Sequence, residues 1–315
     1  MRNLKKLISI LVLLVFFGCQ TRSKKSVEAA NSKPNFTSVE TITISESAIP
    51  LGMVFVPRGQ NGFFMDSTEV TNAEFKAFVE STDYITIAER HIDWEELSKQ
   101  LPTGTPKLPD SLLQPGSLVI RNDLEQLPKN SLHHYTQWWQ WKIGANWRQP
   151  YGPGSSIEGK DNHPVVHIAH EDALAYCKWK GNRLPTKEEW QFAAKGGSTT
   201  KYVWGIDEDD RISNANTWTG SFPSENNVQD GYEKTAPVGG YPPNDFGLYD
   251  MAGNVWEWTA TRAMKEPNLV QFVMKGGSYL CSKNYCANYA IDSQMETTSD
   301  SSYEHLGFRT VRDTK

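Results

Sequence analysis

The sequence predicts a single mixed α/β domain with little regular secondary structure. Clear helical periodicity occurs in only three stretches, the apolar runs that could form strands are short, and 11 tryptophans lie among otherwise loop-rich segments. Large rings with modest aliphatic content indicate irregular backbone packed around aromatic side chains, rather than a doubly wound sheet or a barrel. Because 49–315 shows no internal repeat and no linker, we expect one domain there.

The N-terminus predicts an export signal. Arg2, Lys5 and Lys6 precede an apolar run over 7–17. This run is shorter than the roughly 20 residues that a membrane-spanning helix needs, so it is typical of a secretory signal peptide.

The end of that run resembles a bacterial lipobox, because Gly18 stands immediately before Cys19. We expect residues 1–18 to be removed as a lipoprotein signal peptide and Cys19 to carry the lipid; an ordinary export signal is the alternative. Residues 19–48, rich in Ser, Lys, Thr and Ala, are typical of a flexible tether. The predicted location is therefore the bacterial cell envelope, and Gln20 is compatible with the periplasmic side of the outer membrane.

Charge argues against a nucleic-acid partner. Removal of the leader lowers Lys+Arg from 32 to 29, since three cations leave with it, while Asp+Glu stays at 37, so the mature chain carries about −8. No Lys/Arg-rich stretch follows the tether, and a nucleic-acid-binding protein normally presents a basic patch.

The first predicted helix covers VTNAEFKAFVES, residues 70–81. Thr71 is the expected N-cap, and Glu74 three residues later completes a capping box. The third predicted helix lies in LPTKEEWQFAAKGG, residues 184–197, and begins with the same arrangement of Thr and Glu.

The second predicted helix covers HEDALAYCKWKG, residues 170–181, and Gly181 is its expected stop signal. We expect Cys177 to be a small buried residue of this helix. The predicted apolar face consists of Ala173, Leu174, Cys177 and Trp179.

Short strands are predicted at LGMVFVP, residues 51–57, and at FVMKGGSY, residues 272–279. Between the first two helices, the segment 135–154 is dense in aromatic residues. It carries the four tryptophans Trp138, Trp139, Trp141 and Trp147.

Two polar loops have the composition of calcium sites. The first is 214–240, with Asn216 and Asp230, and the second is GLYDMAGNVWEWT, residues 247–259, with Asp250 and Glu257. Calcium takes six to eight oxygens and mixes carboxylates with backbone carbonyls. The alternative is a set of turn-forming residues with solvated side chains, and the EF-hand pattern is absent.

Two cysteines, Cys281 and Cys286, lie in GGSYLCSKNYC, residues 276–286. Structural zinc requires four ligands, and no histidine or further cysteine is near in sequence. Two thiolates suit Cu(I), which accepts two-coordinate sulfur ligation. A disulfide and a pair of inert thiols remain open as alternatives.

Several motifs taken together resemble the formylglycine-generating enzymes, the sulfatase-modifying family. The resemblance extends over about 51–313 and is strongest in the cysteine segment. It implies a single domain related to the C-type lectin-like fold, and a copper-dependent oxidase. Such an enzyme uses O2 and a thiol reductant to convert the cysteine of a Cys-x-Pro-x-Arg segment in an unfolded sulfatase to Cα-formylglycine. The motifs are PVVHIAHEDALAYCKWKGNRLPTKEEWQFAAKGG, GLYDMAGNVWEWT, KGGSYLCSKNYC and SDSSYEHLGFR, with GANWRQPYGPG and DNHPVVH between the first two helices.

The resemblance also implies roles for individual residues. Cys281 and Cys286 would bind copper, Ser278 and Tyr285 would flank them, and Trp256 would line the site. Two calcium ions would be held by side chains and carbonyls. The first calcium site would use Asn216, Thr217, Asp230 and Tyr232, and the second Asp250, Gly253, Val255 and Glu257.

The chain departs from the family in three places. The segment after Cys286 is shorter than in the animal enzymes and lacks their arginines, and His305 stands where the family often has Asn. Thr310 follows the GFR motif where animal enzymes have the disulfide partner of Cys177, so no structural disulfide is expected.

Two other classes of protein remain as alternatives. A lipid-anchored member of the same superfamily could be a non-catalytic structural component of a cell-envelope assembly, but such a protein has no evident use for the cysteine pair. An iron-dependent, sulfoxide-forming oxidase would need a histidine-rich site and an additional helical domain. Only His133 and His134 are adjacent, and the chain has no room for that domain.

Overall fold

The computed structural model describes residues 49–314, except 60, 103, 122, 124–137 and 265–268. The predicted signal peptide 1–18, Cys19 and the rest of the tether through residue 48 lie outside the described residues, as do His133 and His134. Among the described residues, no helix has the length and apolar character needed to cross a bilayer.

Within the described residues the helices are few, and two of them begin at the predicted caps. Thr71 and Glu74 form a capping box at the first long helix, and Thr186 and Glu189 form one at the third. Gly181 ends the second in the left-handed conformation. The helices are α1 (Asn72–Thr82), α2 (Trp94–Lys99), α3 (His170–Lys180), α4 (Lys187–Lys195) and α5 (Arg211–Asn214), with 3-10 turns at Ile87–Glu89 and Asp110–Leu112.

Part of the predicted apolar face of α3 is wrong. Leu174 and Trp179 are 46% and 43% exposed, whereas Ala173, Tyr176 and Cys177 are buried. Residues three and four apart share one face of a helix, and 174 and 179 lie beside that face rather than on it. The prediction that Cys177 is a buried core residue is confirmed.

The strands are short and form three small sheets. β1, β2 and β9 pair antiparallel, as do β3 and β4. The third sheet has the order β7-β6-β5-β8, in which only β5 and β8 run parallel. The strands are β1 (Met53–Arg58), β2 (Asn61–Asp66), β3 (Gly116–Ile120), β4 (Trp139–Ile143), β5 (Trp256–Ala263), β6 (Gln271–Lys275), β7 (Met295–Thr298), β8 (Leu306–Gly307) and β9 (Val311–Asp313).

This architecture confirms a mixed α/β fold with little regular structure. The strand predicted over 272–279 ends at Lys275, because Gly276 and Gly277 take φ of 94° and 76° and turn the chain. The interior is filled by rings, among them the fully buried Trp147, Trp190, Trp256 and Trp258. The resulting framework presents the segment that follows β6.

Candidate functional site

The cysteines lie in a compact loop, residues 278–288, which we call the cysteine hairpin. Its tip is closed by two main-chain hydrogen bonds: Ser282 N–H donates to Tyr285 O at 3.0 Å and Tyr285 N–H donates to Ser282 O at 3.2 Å. Trp218 N–H donates to Cys281 O at 3.0 Å, which attaches the hairpin to the loop after α5. The two cysteines therefore lie on opposite limbs of one tight turn.

The two sulfur atoms are brought together as free thiols. Cys281 is 2% exposed, Cys286 is half-buried, and their side chains are within hydrogen-bonding reach of each other. Ser278 N–H points at Cys281 Sγ from 3.4 Å. Hydrogen bonds, first from Cys286 and then from the Ser278 and Asn288 amides, lower the pKa of the Cys281 thiol although burial opposes this.

An aromatic surface flanks the hairpin. The Tyr285 ring stacks on Phe222 with centroids 5.3 Å apart, and the edge of Trp138 meets Tyr285 at 4.7 Å. We call Trp138, Phe222 and Tyr285 the aromatic wall. Trp256 is buried in the same core cluster as Cys281, and Tyr285, the other predicted aromatic site residue, lies in the hairpin itself.

His305 packs one residue before β8. Its carbonyl accepts a hydrogen bond from Trp256 N–H at 2.8 Å, and its ring lies 4.9 Å from that of Trp139. Burial, with a small contribution from His167, lowers the pKa of His305 to about 3. The imidazole is therefore neutral at physiological pH.

The four residues of the first predicted calcium site are together. Asp230 accepts hydrogen bonds from Thr217 N–H at 2.8 Å and Tyr232 N–H at 3.3 Å. Asn216 uses its Nδ2 on Lys234 O, and its buried Oδ1 has no hydrogen-bond partner among the described residues. An orphaned buried oxygen of this kind fits a hard cation.

The residues of the second predicted site surround an arginine. Glu257 is fully buried and makes a bidentate pair with Arg309, with Nε–Oε2 and Nη2–Oε1 distances of 2.7 and 2.8 Å. Trp190 Nε1–H donates to Glu257 Oε2 at 2.7 Å. Asp250 accepts from Gly239 N–H at 2.6 Å through one oxygen only.

Glu69, which sequence reasoning missed, completes this group. Its Oε2 lies 4.0 Å from Arg309 Nη2, and Asn254 Nδ2 donates to its Oε1 at 2.9 Å. Glu69 Oε2 and Asp250 Oδ1 are both buried without a donor among the described residues, and burial raises the pKa of each carboxyl, that of Glu69 strongly. We call Glu69, Asp250, Glu257 and Arg309 the buried ion cluster.

Three carboxylates against one guanidinium leave excess negative charge in the interior. This charge favours a cation or a proton between Glu69 and Asp250. Of the other two predicted ligands, Val255 is buried, and Gly253 packs so closely on Asn216 O of the first predicted site that a Cβ would not fit there. No signal in the sequence links Glu69 to residues about 180 positions later.

No three His, Cys, Asp or Glu side chains are arranged to hold one metal ion within the part of the chain that the structure describes. The candidate sites depend instead on two thiols, or on carboxylates combined with amide and carbonyl oxygens. The first set suits a soft ion and the second a hard ion.

A cavity of about 420 Å³ lies between the 87–101 segment, the β3–β4 hairpin and the loop after β7. Its wall is largely apolar and includes Leu118 and Trp141, while Asp93, Glu96 and Asp300 give it an acidic rim. Arg90, the one arginine on the lining, is already paired with Glu171 at 2.7 Å. The cavity therefore suits a side chain with an apolar stem and a positive end.

Known proteins match this chain over nearly all of its described part. The sequence model of the family described as "Sulfatase-modifying factor enzyme 1-like domain" matches residues 54–314. The chain is 40% identical over 270 residues to the formylglycine-generating enzyme of Mus musculus, covering 80% of this chain and 66% of that enzyme. It is 38% identical over 273 residues to the formylglycine-generating enzyme of Mycobacterium tuberculosis, covering 80% of this chain and 87% of that one.

A further relative is named an inactive enzyme. The chain is 39% identical over 251 residues to "Inactive C-alpha-formylglycine-generating enzyme 2" of Bos taurus, covering 78% of this chain and 76% of that protein. Similarity of this degree therefore does not by itself decide activity, and the geometry of the cysteine hairpin has to be considered with it.

Proposed function

The chain belongs to the sulfatase-modifying factor enzyme 1-like family, and we propose that it is a formylglycine-generating oxidase of the bacterial cell envelope. Its substrate is the cysteine of a Cys-x-Pro-x-Arg segment in an unfolded sulfatase, and its product is Cα-formylglycine. The cysteine side chain loses two electrons and two protons, water replaces its sulfur, and hydrogen sulfide leaves. Molecular oxygen is reduced to water by these electrons and by two more from a thiol reductant.

The observation that carries this proposal is the pair of adjacent free thiols in the cysteine hairpin. Two thiols fit Cu(I), which accepts two sulfur ligands, whereas a structural zinc ion needs four ligands. Cys281 and Cys286 would hold the copper. When bound, copper supplies the one-electron chemistry with oxygen, which no protein side chain provides.

The neighbouring residues position these thiols and shape the site. Ser278 fixes Cys281 through its N–H and hydroxyl groups, and Trp256 packs in the same core cluster as that thiol. The aromatic wall offers flat apolar rings, of the kind that pack well against a proline of the substrate. Tyr285 belongs both to this wall and to the hairpin. A substrate peptide bound against the wall would therefore lie next to the thiols.

The acidic-rimmed cavity suits the arginine of the substrate. In an extended peptide, residues rise roughly 3.3 Å each, which places this arginine roughly 13 Å from the reacting cysteine. Trp138 contacts Tyr285 of the hairpin, and Trp141, three residues later, lines the cavity. One short segment of backbone, roughly 10 Å long, therefore connects the hairpin to the cavity. The substrate segment can bind in this extended form only before its sulfatase folds.

Calcium is proposed as a structural partner, with up to two ions. Asn216 and Asp230 side chains with Thr217 and Tyr232 carbonyls would hold the first. Asp250 with the Gly253 and Val255 carbonyls would hold the second. Glu69 would join the second site, where its unpartnered oxygen faces that of Asp250, and Glu257 would act there mainly through its ion pair with Arg309.

The cell-envelope location follows from the N-terminal sequence. A lipid on Cys19 would anchor the chain, with residues 19–48 as the tether, on the periplasmic side of the outer membrane. Sulfatases exported in the unfolded state would pass that compartment as substrates.

The test uses the full chain in detergent, loaded with Cu(I) and supplied with oxygen, a thiol reductant and a Cys-x-Pro-x-Arg peptide. We expect mass spectrometry to detect the aldehyde product. Cys281→Ser and Cys286→Ser should each abolish turnover. Cys177→Ser is the matched control, because Cys177 and Cys281 are both 2% exposed and each change buries a hydroxyl at a cost of roughly 1–3 kcal/mol. Of these two variants, only Cys177→Ser should keep its turnover.

Absence of product from a wild-type chain that demonstrably binds copper would contradict the enzyme proposal. It would favour the alternative, a non-catalytic lipoprotein in a cell-envelope assembly. Normal turnover in either cysteine variant of the hairpin would instead show that the copper assignment is wrong.

A further inference from the structure

Asn288 lies on the return limb of the cysteine hairpin and contacts Cys286 through both its side chain and its backbone. Its side-chain Nδ2 donates to Cys286 Sγ at 2.7 Å. Its main-chain N–H donates to Cys286 O at 2.6 Å. Sulfur is a weak acceptor that depends on such geometry.

Cys286 needs this support because of its backbone. Its φ is 57°, in the left-handed region, which a non-glycine residue keeps only where its surroundings hold it there. Asn288 donates one hydrogen bond to the carbonyl oxygen of Cys286 and another to its sulfur. Together these two bonds fix the orientation of the Cys286 side chain relative to its backbone.

Asn288 is itself held firmly. Its carbonyl carbon and oxygen would lie 3.1 and 3.2 Å from a Cβ on Gly277, so its backbone packs directly on the glycine turn that leads into Ser278. The next residue, Tyr289, is buried, and its hydroxyl donates to Glu208 at 2.6 Å. The donor groups of Asn288 are therefore fixed relative to the turn that carries Cys281.

We propose that Asn288 is a positioning residue that sets the direction of Cys286 Sγ, and with it the separation of the two sulfurs that would grip one Cu(I) ion. The assignment of the ion rests on the proposed function, whereas the effect on the sulfurs does not. Loss of the side-chain donor removes the hydrogen bond that directs Cys286 Sγ. Copper then binds more weakly, and the two sulfurs are no longer kept apart as separate hydrogen-bonded thiols.

The main test is the isosteric change Asn288→Asp, which keeps the shape and removes the donor, with Asn288→Ala as a second variant in case the carboxylate disturbs folding. Asn284→Asp is the matched control, because it places the same charge at the exposed tip of the same hairpin. Cu(I) affinity is measured anaerobically in the full chain by competition with a chromophoric Cu(I) chelator. We expect both Asn288 variants to lose at least about tenfold in affinity, with a fall in kcat and little change in KM, and the control to stay within about twofold.

A copper-free measurement separates this proposal from the proposed function. The chain is equilibrated with reduced and oxidised glutathione, so that Cys281 and Cys286 form a disulfide while one glutathione disulfide becomes two glutathiones. Without the Asn288 donor, the equilibrium should shift toward the protein disulfide by roughly three- to tenfold. A wild-type chain that binds no copper would contradict the proposed function while this shift still supported Asn288. Wild-type values of both the copper affinity and the glutathione equilibrium in Asn288→Asp and Asn288→Ala would overturn the inference.

Discussion

The cysteine hairpin and the buried ion cluster are both candidate metal regions, and they are built in opposite ways. In the hairpin, the contacts are local in sequence: Ser278 to Cys281 spans three residues, and Asn288 to Cys286 spans two. In the ion cluster, Asn254 reaches Glu69 across 185 residues, and Arg309 reaches the Asp66 carbonyl across 243. The hairpin is therefore held largely by contacts between residues close in sequence, whereas the ion cluster links segments from near the two ends of the domain.

This difference separates chemistry from stability. The two thiols of the hairpin can be altered at a modest cost in stability, since they lie on a local turn and Cys286 is only half-buried. Fully buried charges cannot, because an unpaired charge in the interior costs several kcal/mol. We therefore expect changes in the hairpin to alter turnover and changes in the ion cluster to alter folding, and the following experiments test this division in order of decreasing effect.

Arg309→Met should have the largest effect. It removes the only cation of the buried ion cluster and leaves Glu69, Asp250 and Glu257 in the interior, which should lower the free energy of unfolding by roughly 3–5 kcal/mol. Urea unfolding of the full chain in detergent measures this loss.

The control for Arg309 is Lys76→Met, which removes an exposed cation 3.8 Å from Glu80 on α1. Such surface pairs contribute at most about 0.5 kcal/mol. If Arg309→Met unfolded at the urea concentration of the wild type, the ion cluster would not carry the stability that its burial implies.

Calcium removal should have an intermediate effect. A chelator should lower the free energy of unfolding by about 2.7 kcal/mol when calcium had been present at a hundredfold excess over its Kd. The Cu(I) affinity of the hairpin should stay unchanged, since sulfur ligands are not shared with the oxygen sites. Asp230→Asn should weaken the calcium dependence, and the exposed Asp245→Asn should not. A chelator effect confined to copper binding would contradict the division of roles.

The same division explains what the sequence could predict. The helix starts at Thr71 and Thr186 are readable because a capping box lies within four residues, and the cysteine pair is readable because its partners are local. The exposure of Trp179, and the roles of Glu69 and Arg309, depend on packing between distant segments. They carry no local signal.

Asn288 shows a third limit of sequence reasoning. It is close to the cysteines in sequence, yet its role depends on the left-handed φ of Cys286, which the residue types alone do not indicate. A cysteine is not a residue that favours this conformation, so the turn could be found only once the backbone was known.

Mild acid, between pH 6.5 and 5, should produce the smallest effect, and it does so by adding a charge to the interior rather than removing one. Burial lowers the pKa of His167 from 6.5 to about 3, and the nearby Lys234 charge contributes to this shift. Its ring nitrogens lie 2.7 Å from Ser117 Oγ and 2.8 Å from Pro150 O. Below pH 6.5 the unfolded chain binds a proton that the folded chain does not, so stability is lost as the pH falls toward 3.

This acid sensitivity amounts to at most about 1.4 kcal/mol per pH unit for one histidine. His167→Asn should show a shallower loss of stability between pH 6.5 and 5, and Asn tolerates the φ of 62° found there. His91→Asn should keep the wild-type slope, because the His91 side chain is exposed and lies outside the interior. Equal slopes in the wild type and both variants would mean that the interior accepts a positive charge at His167 with little loss of stability. The cost of an unpaired charge that we assign to the buried ion cluster would then be too high.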